Sequence, residues 1–498
     1  MNSVLSQNGD KFVLYVAILL QYERDSAGET YGNPHVRIRS RGKDGQTVWY
    51  LSKSARSKEL GWKTRKGGEV RSMKNYDTKI VEETLHQMFS PDWLRETARE
   101  TGLIKRERKV DPVIMFWVLV FGFGVRLQRS LASLKRSYEK TSDSNLSDGS
   151  WYERFTPELV SFLKQCVVHG IEHLAQDPTR KNEKLSLFKD VLIQDSTIIR
   201  LHEKLAKKWP AVRARKVAAG VKVSMLVSAI SDGPKRVALH GERTSEVKTL
   251  RIGPWVKDRI LLIDLGFYKH QLFTRIKENG GYFVSRLKGS ADPLIIGSGK
   301  QEDLIGKRVS KVLPELKGEL DVEVEVNLYR RKYNGKRRKD RDSFRLIAVY
   351  NEEDNAYHTY ITNISSDILD AKDISSLYSA RWDVELIFKE LKSRYALDVV
   401  NTTNPQIIEA YIWIAILTLM VSRRIYNLVV EYSQKEKIVR YTQLRWSTIF
   451  AENASDQLTL VLAYYGIQRT FETVMGVYDS QALDPHVNRH RLMDEWRA

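Results

Sequence analysis

A chain of 498 residues is too long for one ordinary core, and at 42% hydrophobic it can fill several, so two to four structural units are expected. Its 81 Lys and Arg against 62 Asp and Glu leave a net charge of +19, which favours a polyanionic partner, nucleic acid before any other. The single cysteine, Cys166, excludes an intramolecular disulfide framework and suits a reducing, cytoplasmic setting. The apolar runs 12–20 and 113–125 are too short to span a bilayer, so no membrane role is expected.

Residues 1–80 read as a basic, β-rich N-terminal module. His35–Arg41 and Gln46–Leu51 flank the turn Gly42-Lys-Asp-Gly45, a hairpin pattern. Lys53, Arg56, Lys58, Lys63, Arg65, Lys66 and Arg71 follow around Trp62, a mixture that suits DNA or a solvated linker. Residues 81–182 turn helical. Ser90-Pro91, Asp111-Pro112 and Thr156-Pro157 each set a capping side chain before a proline, the chemistry of a helix start. Arg126, Arg129, Lys135 and Arg136 make this a candidate region for binding DNA ends.

Strands take over from 183 to 288. Val191–Asp195 and Ile260–Asp264 are apolar runs that each end in a carboxylate. Between them, 221–230 and 235–240 flank the turn 231–234. A helix over 269–278 and a strand over 282–287 come next. Three strands, a crossover to a fourth, a helix, a fifth strand and a later acidic helix is the element order of an RNase H-like α/β fold. Its core is expected over 183–288 plus 366–430, interrupted by a β-strand insertion at 289–365. Within that insertion a loop carries eight cations between Arg330 and Arg341, Arg337, Arg338 and Lys339 among them. So dense a run of like charge repels itself unless a polyanion is near, which makes these residues candidate DNA contacts. After Pro405 a long helix, apolar nearly all round from Tyr411 to Val421, should be buried. Residues 431–498 form a helical C-terminal region with a polar tail from Asp484.

The most informative stretch is Tyr378-Ser-Ala-Arg381-Trp-Asp-Val-Glu385 through Lys392. As one helix at about 100° per residue, Tyr378, Arg381, Glu385 and Lys392 fall within an arc of about 60°. Val384, Ile387, Phe388, Leu391 and Tyr395 form the neighbouring apolar stripe. A carboxylate thus stands in a row of phosphate-binding donors beside a core face. Phosphodiester chemistry needs such carboxylates: two divalent metals about 4 Å apart activate the nucleophile and neutralise charge on phosphorus. Asp195, Asp264 and Glu385 are the candidate catalytic and metal-holding set for two Mg²⁺ (or Mn²⁺) ions per site.

Tyr, two residues, Arg, three residues, Glu, six residues, Lys resembles the signature of prokaryotic insertion-sequence transposases of the IS-four family, of the DDE class. Asp264-Leu-Gly-Phe-Tyr268 matches the family's context for its second aspartate. The resemblance covers roughly 110 to 430. It implies that Asp195, Asp264 and Glu385 hold the metals and that Tyr378, Arg381 and Lys392 contact phosphates near the cut end. It further implies cleavage at the terminal inverted repeats and strand transfer into double-stranded target DNA by a cut-and-paste route, in a homodimer that pairs two ends. In family members with the β insertion, an aromatic residue holds a flipped base of a DNA hairpin; Tyr360 is a candidate here. The protein is expected in the prokaryotic cytoplasm, at the nucleoid when bound to DNA.

Other readings stay open. A silent DNA-binding protein derived from a transposase, or a metal-dependent nuclease on the same fold, would share these residues. His169-Gly-Ile-Glu172-His173 fits a zinc-peptidase helix, with Cys166 on the same face.

Overall fold

The computed structural model describes residues 80–462, apart from 107–109, 124–129, 143–145, 177–182, 213–217, 331–337, 434–440 and the single positions 232, 300, 396, 399 and 401. The expected N-terminal hairpin and basic segment, Arg126, Arg129, Arg337 and the polar tail lie outside the described residues.

The chain enters through helices α1 (Ile80–Met88), α2 (Pro91–Glu100), α3 (Pro112–Phe123), α4 (Leu131–Ser142), α5 (Asp148–Tyr152) and α6 (Pro157–Gln176). Three begin where the cap-proline pairs sit. Ser90 Oγ accepts from the Trp93 amide at 3.2 Å, and Asp111 Oδ1 from those of Val113 and Ile114 at 2.7 and 3.2 Å. Thr156 Oγ1 accepts from the Leu159 amide at 3.4 Å. Each satisfies an amide that the first turn leaves without a helical partner, and the proline has none to lose. The apolar run from 113 is helix α3, buried on every side from Phe116 to Val120. Its neighbour is α10 (Pro405–Ser433), where Thr418 Oγ1 donates to the Val120 carbonyl at 2.7 Å. By length and composition α10 could cross a membrane, but 72% of its most apolar window is buried inside the protein, so it serves as a core helix.

Nine described strands make one sheet: β1 (Asp190–Leu201), β2 (Ala219–Ser228), β3 (Gly233–Gly241), β4 (Arg259–Ile263), β5 (Tyr282–Arg286), β6 (Leu294–Ser298), β7 (Leu320–Tyr329), β8 (Lys339–Asn351) and β9 (Ala356–Thr362). Their order is β3-β2-β1-β4-β5-β9-β8-β7-β6. β1, β4 and β5 run parallel, while the other pairings are antiparallel. The strands between 289 and 365 therefore do not stand apart. β9 pairs with β5 (Ser285↔Ile361), and β8, β7 and β6 extend the same sheet.

Each sheet face has its own core. Ile193, Val223, Leu262 and Val284 pack with the helical block and with Val384 and Ile387 of α9 (Trp382–Ser393). On the other face, Leu261, Ile263 and Phe283 pack with Phe273 of α7 (His270–Glu278) and with Val324 and Leu346 of the later strands. Period-two alternation along β4 produces the division.

Two local expectations are corrected. Asp195 does not end its strand: β1 continues to Leu201 because Ser196–Leu201 pairs with Ala219–Ser224 of β2. Nor is Tyr378–Lys392 one helix. The chain forms α8 (Ala371–Ser379) and then α9, and between them the amides of Ala380, Arg381 and Asp383 bond three residues back rather than four. That tightened turn re-aims Arg381 relative to Tyr378.

Candidate active site

Strand register brings the two aspartates together. The last printed β1–β4 pair is Ile193↔Leu262, and Asp195 and Asp264 each lie two residues further along these parallel strands. They therefore project on the face of Ile193 and Leu262, the face that α9 covers. Each is held by the amide of a following residue: Ser196 N donates to Asp195 Oδ1 at 2.7 Å, and Gly266 N to Asp264 Oδ2 at 3.1 Å. Asp264 caps the short 3₁₀ turn Leu265–Phe267, a sequence-local reason for the Asp-x-Gly spacing.

Glu385, in the first turn of α9, is joined to Asp264 through Arg381. One guanidinium nitrogen lies 2.9 Å from Glu385 Oε1 and another 3.8 Å from Asp264 Oδ1. The Arg381 side chain is 19% exposed, while those of Asp264 and Glu385 are 40% and 34% exposed, so both acids can still meet an incoming ligand. Asp195 is more enclosed. Burial raises its pKa from 3.8 to about 6. The Glu246 and Asp264 charges add to that rise, while the Ser196 amide and Arg381 oppose it.

The donor set suits a hard divalent cation: carboxylate oxygens, with no thiolate or imidazole beside them. Among the described residues no three His, Cys, Asp or Glu side chains are gathered closely enough to ligate a single ion, and Arg381 holds Asp264 and Glu385 about its own charge. Zinc at Cys166, His169 and His173 finds no support. Cys166 is fully buried with its thiol pKa pushed well up, and the His169 ring stacks on Trp93 at 3.8 Å.

The remaining predicted residues divide. Tyr378 is buried, 7% exposed, and its hydroxyl donates to the carbonyl of Ile263, the residue before Asp264, at 3.3 Å. Burial raises its pKa to about 12. It braces the end of β4 instead of facing solvent. Lys392 is half-buried, about two turns beyond Glu385 on α9. Arg338 and Lys339 are exposed at the β7–β8 tip, and no described hydrogen bond or ion pair joins them to the carboxylates. Tyr360 is buried on β9, with its hydroxyl accepting from Ser375 Oγ at 3.2 Å, the setting of a core-facing strand tyrosine. The exposed aromatic beside the site is Trp382, 56% exposed next to Arg381. An apolar residue inside an otherwise polar helix edge was the signal available in the sequence.

Residues 186–421 match the family described as "Transposase DDE domain", a span that includes all three carboxylates and every described strand. Similarity to this domain and to insertion-sequence transposases identifies a DDE-type transposase. The transposase is 22% identical over 406 residues to the transposase for insertion sequence element IS1151 of Clostridium perfringens, covering 73% of this chain and 84% of that one. It is 23% identical over 374 residues to the transposase for element IS231F of Bacillus thuringiensis subsp. israelensis (66% and 76%). Among solved structures, the piggyBac transposase synaptic complex with hairpin DNA aligns with a TM-score of 0.43 at 11% identity, over 82% and 87% of the two chains. A DDE domain implies dependence on a divalent metal.

Proposed function

We propose that this transposase catalyses cut-and-paste transposition of an insertion sequence, cleaving double-stranded DNA at the element's terminal inverted repeats and joining the freed 3′-hydroxyl to target DNA. The observation that carries the reading is the in-register placement of Asp195 and Asp264 on adjacent parallel strands, with Glu385 tied to Asp264 through Arg381. Strand order β3-β2-β1-β4-β5, followed by the helix bearing Glu385, supports an RNase H-like core over 183–288 plus 366–430. The strands of 289–365 are then an insertion that widens the core's own sheet. The helices of the 81–182 region bind the element ends, and those at Gln443–Glu452 and Ala454–Val461 complete the helical body.

Asp195, Asp264 and Glu385 hold two Mg²⁺ (or Mn²⁺) ions, which when bound supply charge neutralisation at phosphorus and an activated oxygen nucleophile. Arg381 leaves its bridging position to pair with a phosphate, for which its planar fork is suited, and Lys392 adds a second cation along the same helix. Tyr378 takes a different task from the one its motif suggests: its bond to the Ile263 carbonyl keeps Asp264 in place. Arg337, Arg338 and Lys339 meet DNA away from the cut, and Trp382 stacks on an unpaired base at the cleaved end. Two copies act together, because two element ends must be handled at once. The setting is the prokaryotic cytoplasm.

The test is Mg²⁺- or Mn²⁺-dependent cleavage and joining of DNA that carries the flanking ends, with wild type and Glu385→Gln compared. The variant should bind those ends with unchanged affinity and neither cut nor join them. Cleavage that survives the substitution refutes the assignment, and cleavage by the wild type without joining identifies a nuclease.

A further inference from the structure

A fourth carboxylate touches both aspartate-bearing segments and belongs to no motif. Glu246 opens a single helical turn (Glu246–Thr249) after β3, behind the N-cap residue Ser245. Its Oε1 accepts from Ser196 Oγ at 2.8 Å. Alternation along β1 puts Ser196 on the sheet face opposite Asp195, so Glu246 reaches the pair from behind. Its Oε2 packs so tightly on Gly266 that a Cβ added there would lie 2.9 Å from it. Ser196 and Gly266 are the residues whose amides hold the carboxylates of Asp195 and Asp264. One side chain thus touches both residues whose amides aim the aspartates.

A buried cation backs this clamp. Lys222 on β2, 5% exposed, sends its ammonium group to the Thr244 carbonyl at 2.7 Å and to Glu246 Oε1 at 3.4 Å. The ammonium anchors the loop that carries Glu246 and offsets part of the cost of a third acid beside Asp195 and Asp264. Any side chain at 266 would push Glu246 away, which gives the Gly of Asp264-Leu-Gly a second reason to be glycine.

We infer that Glu246 is a positioning residue for the metal-holding aspartates, fixing their separation through Ser196 and Gly266. The inference rests on the carboxylate site proposed above. Its test is Mn²⁺ binding to the full chain without DNA, followed by electron paramagnetic resonance, with circular dichroism and DNA affinity confirming that each variant is folded. Glu246→Ala should weaken Mn²⁺ binding by about tenfold or more, the usual effect of removing a group that orients a ligand. Glu246→Gln keeps an oxygen for Ser196 and the contact with Gly266, and should stay within about threefold of wild type. If the alanine variant does not fold, Ser196→Ala serves in its place and should weaken Mn²⁺ severalfold. Wild-type affinity in a folded Glu246→Ala protein overturns the inference. So does a glutamine variant as weak as alanine, which would make the charge and not the clamp responsible. Asp195→Asn is the control: wild-type Mn²⁺ affinity there removes the carboxylate site itself, whatever Glu246 does.

Discussion

Replacing Asp195 by Asn should abolish transposition and at the same time stabilise the metal-free protein. In the folded chain, burial and two neighbouring acids lift the Asp195 pKa from 3.8 to about 6. The folded state therefore holds its proton more tightly than the unfolded state. Ionisation costs nothing below the unfolded value, begins to destabilise as pH climbs past about 4, and reaches its full penalty above 6. A shift of roughly two units is worth up to about 3 kcal/mol, with roughly half of it already present at pH 5. Asn removes the charge, retains an oxygen for the Ser196 amide and does not titrate. Urea unfolding of both proteins in EDTA should show the variant ahead by up to about 3 kcal/mol at pH 8 and nearly level at pH 3.5. Adding Mn²⁺ at pH 8 should raise the wild type and leave the variant where it was. An Asn variant no more stable than wild type at pH 8, or equally favoured at both pH values, would refute the claim that burial and its acidic neighbours penalise the charge of this carboxylate.

Behind Glu385, the same helix α9 buries Glu390 against Arg423 of α10, with the Tyr395 hydroxyl donating to Glu390 Oε1 at 2.9 Å and all three side chains fully buried. Arg423→Met should cost about 3–5 kcal/mol in chemical denaturation by leaving the Glu390 charge without its guanidinium, and Glu390→Gln/Arg423→Met should recover most of that. A single variant within about 1 kcal/mol of wild type would show that the pair does not anchor α9. Trp382→Ala should leave the unfolding midpoint unchanged, since the ring is exposed, yet weaken binding to a frayed or hairpin DNA end by about 1–3 kcal/mol in a titration while sparing intact duplex. Equal loss on both DNAs would argue against stacking. Gly281→Ala should destabilise by about 1–3 kcal/mol, because the new Cβ would fall 2.9 Å from the Val256 carbonyl oxygen; a melting curve like the wild type's would mean that this turn can give.

What could be read in advance were features written locally along the chain. The cap-proline pairs, the Asp-x-Gly turn that Asp264 caps, and the buried run of α10 all follow from neighbours within a few residues. Asp195, Asp264 and Glu385 could be singled out for the same reason, each lying in a short pattern of its own. Contacts between distant segments were not. Nothing near Glu246 in the sequence shows that Ser196 and Gly266 converge on it, since that depends on how β1 and the turn after β4 are brought side by side. The extent of β1 depended on its partner β2, and the break before Trp382 on backbone bonds that side-chain periodicity does not record. Tyr378 shows the difference most sharply. It sits on the polar arc of an ideal helix, but once the turn at 380–381 tightens its hydroxyl ends on the carbonyl of Ile263.

The union of β5 with β9 also bears on the order in which the molecule assembles. Val284 pairs with Thr362, 78 residues further on (362 − 284), whereas β7–β8 and β8–β9 are closed by short connections. Closing so long a loop costs about 4 kcal/mol of chain entropy, more than closing either local hairpin, which favours formation of the hairpins before their union with β5. Glu385 lies beyond those hairpins in the chain, on α9. A chain built only as far as those hairpins already carries Asp195 and Asp264 but not Glu385, and so lacks one of the three carboxylates proposed for the site.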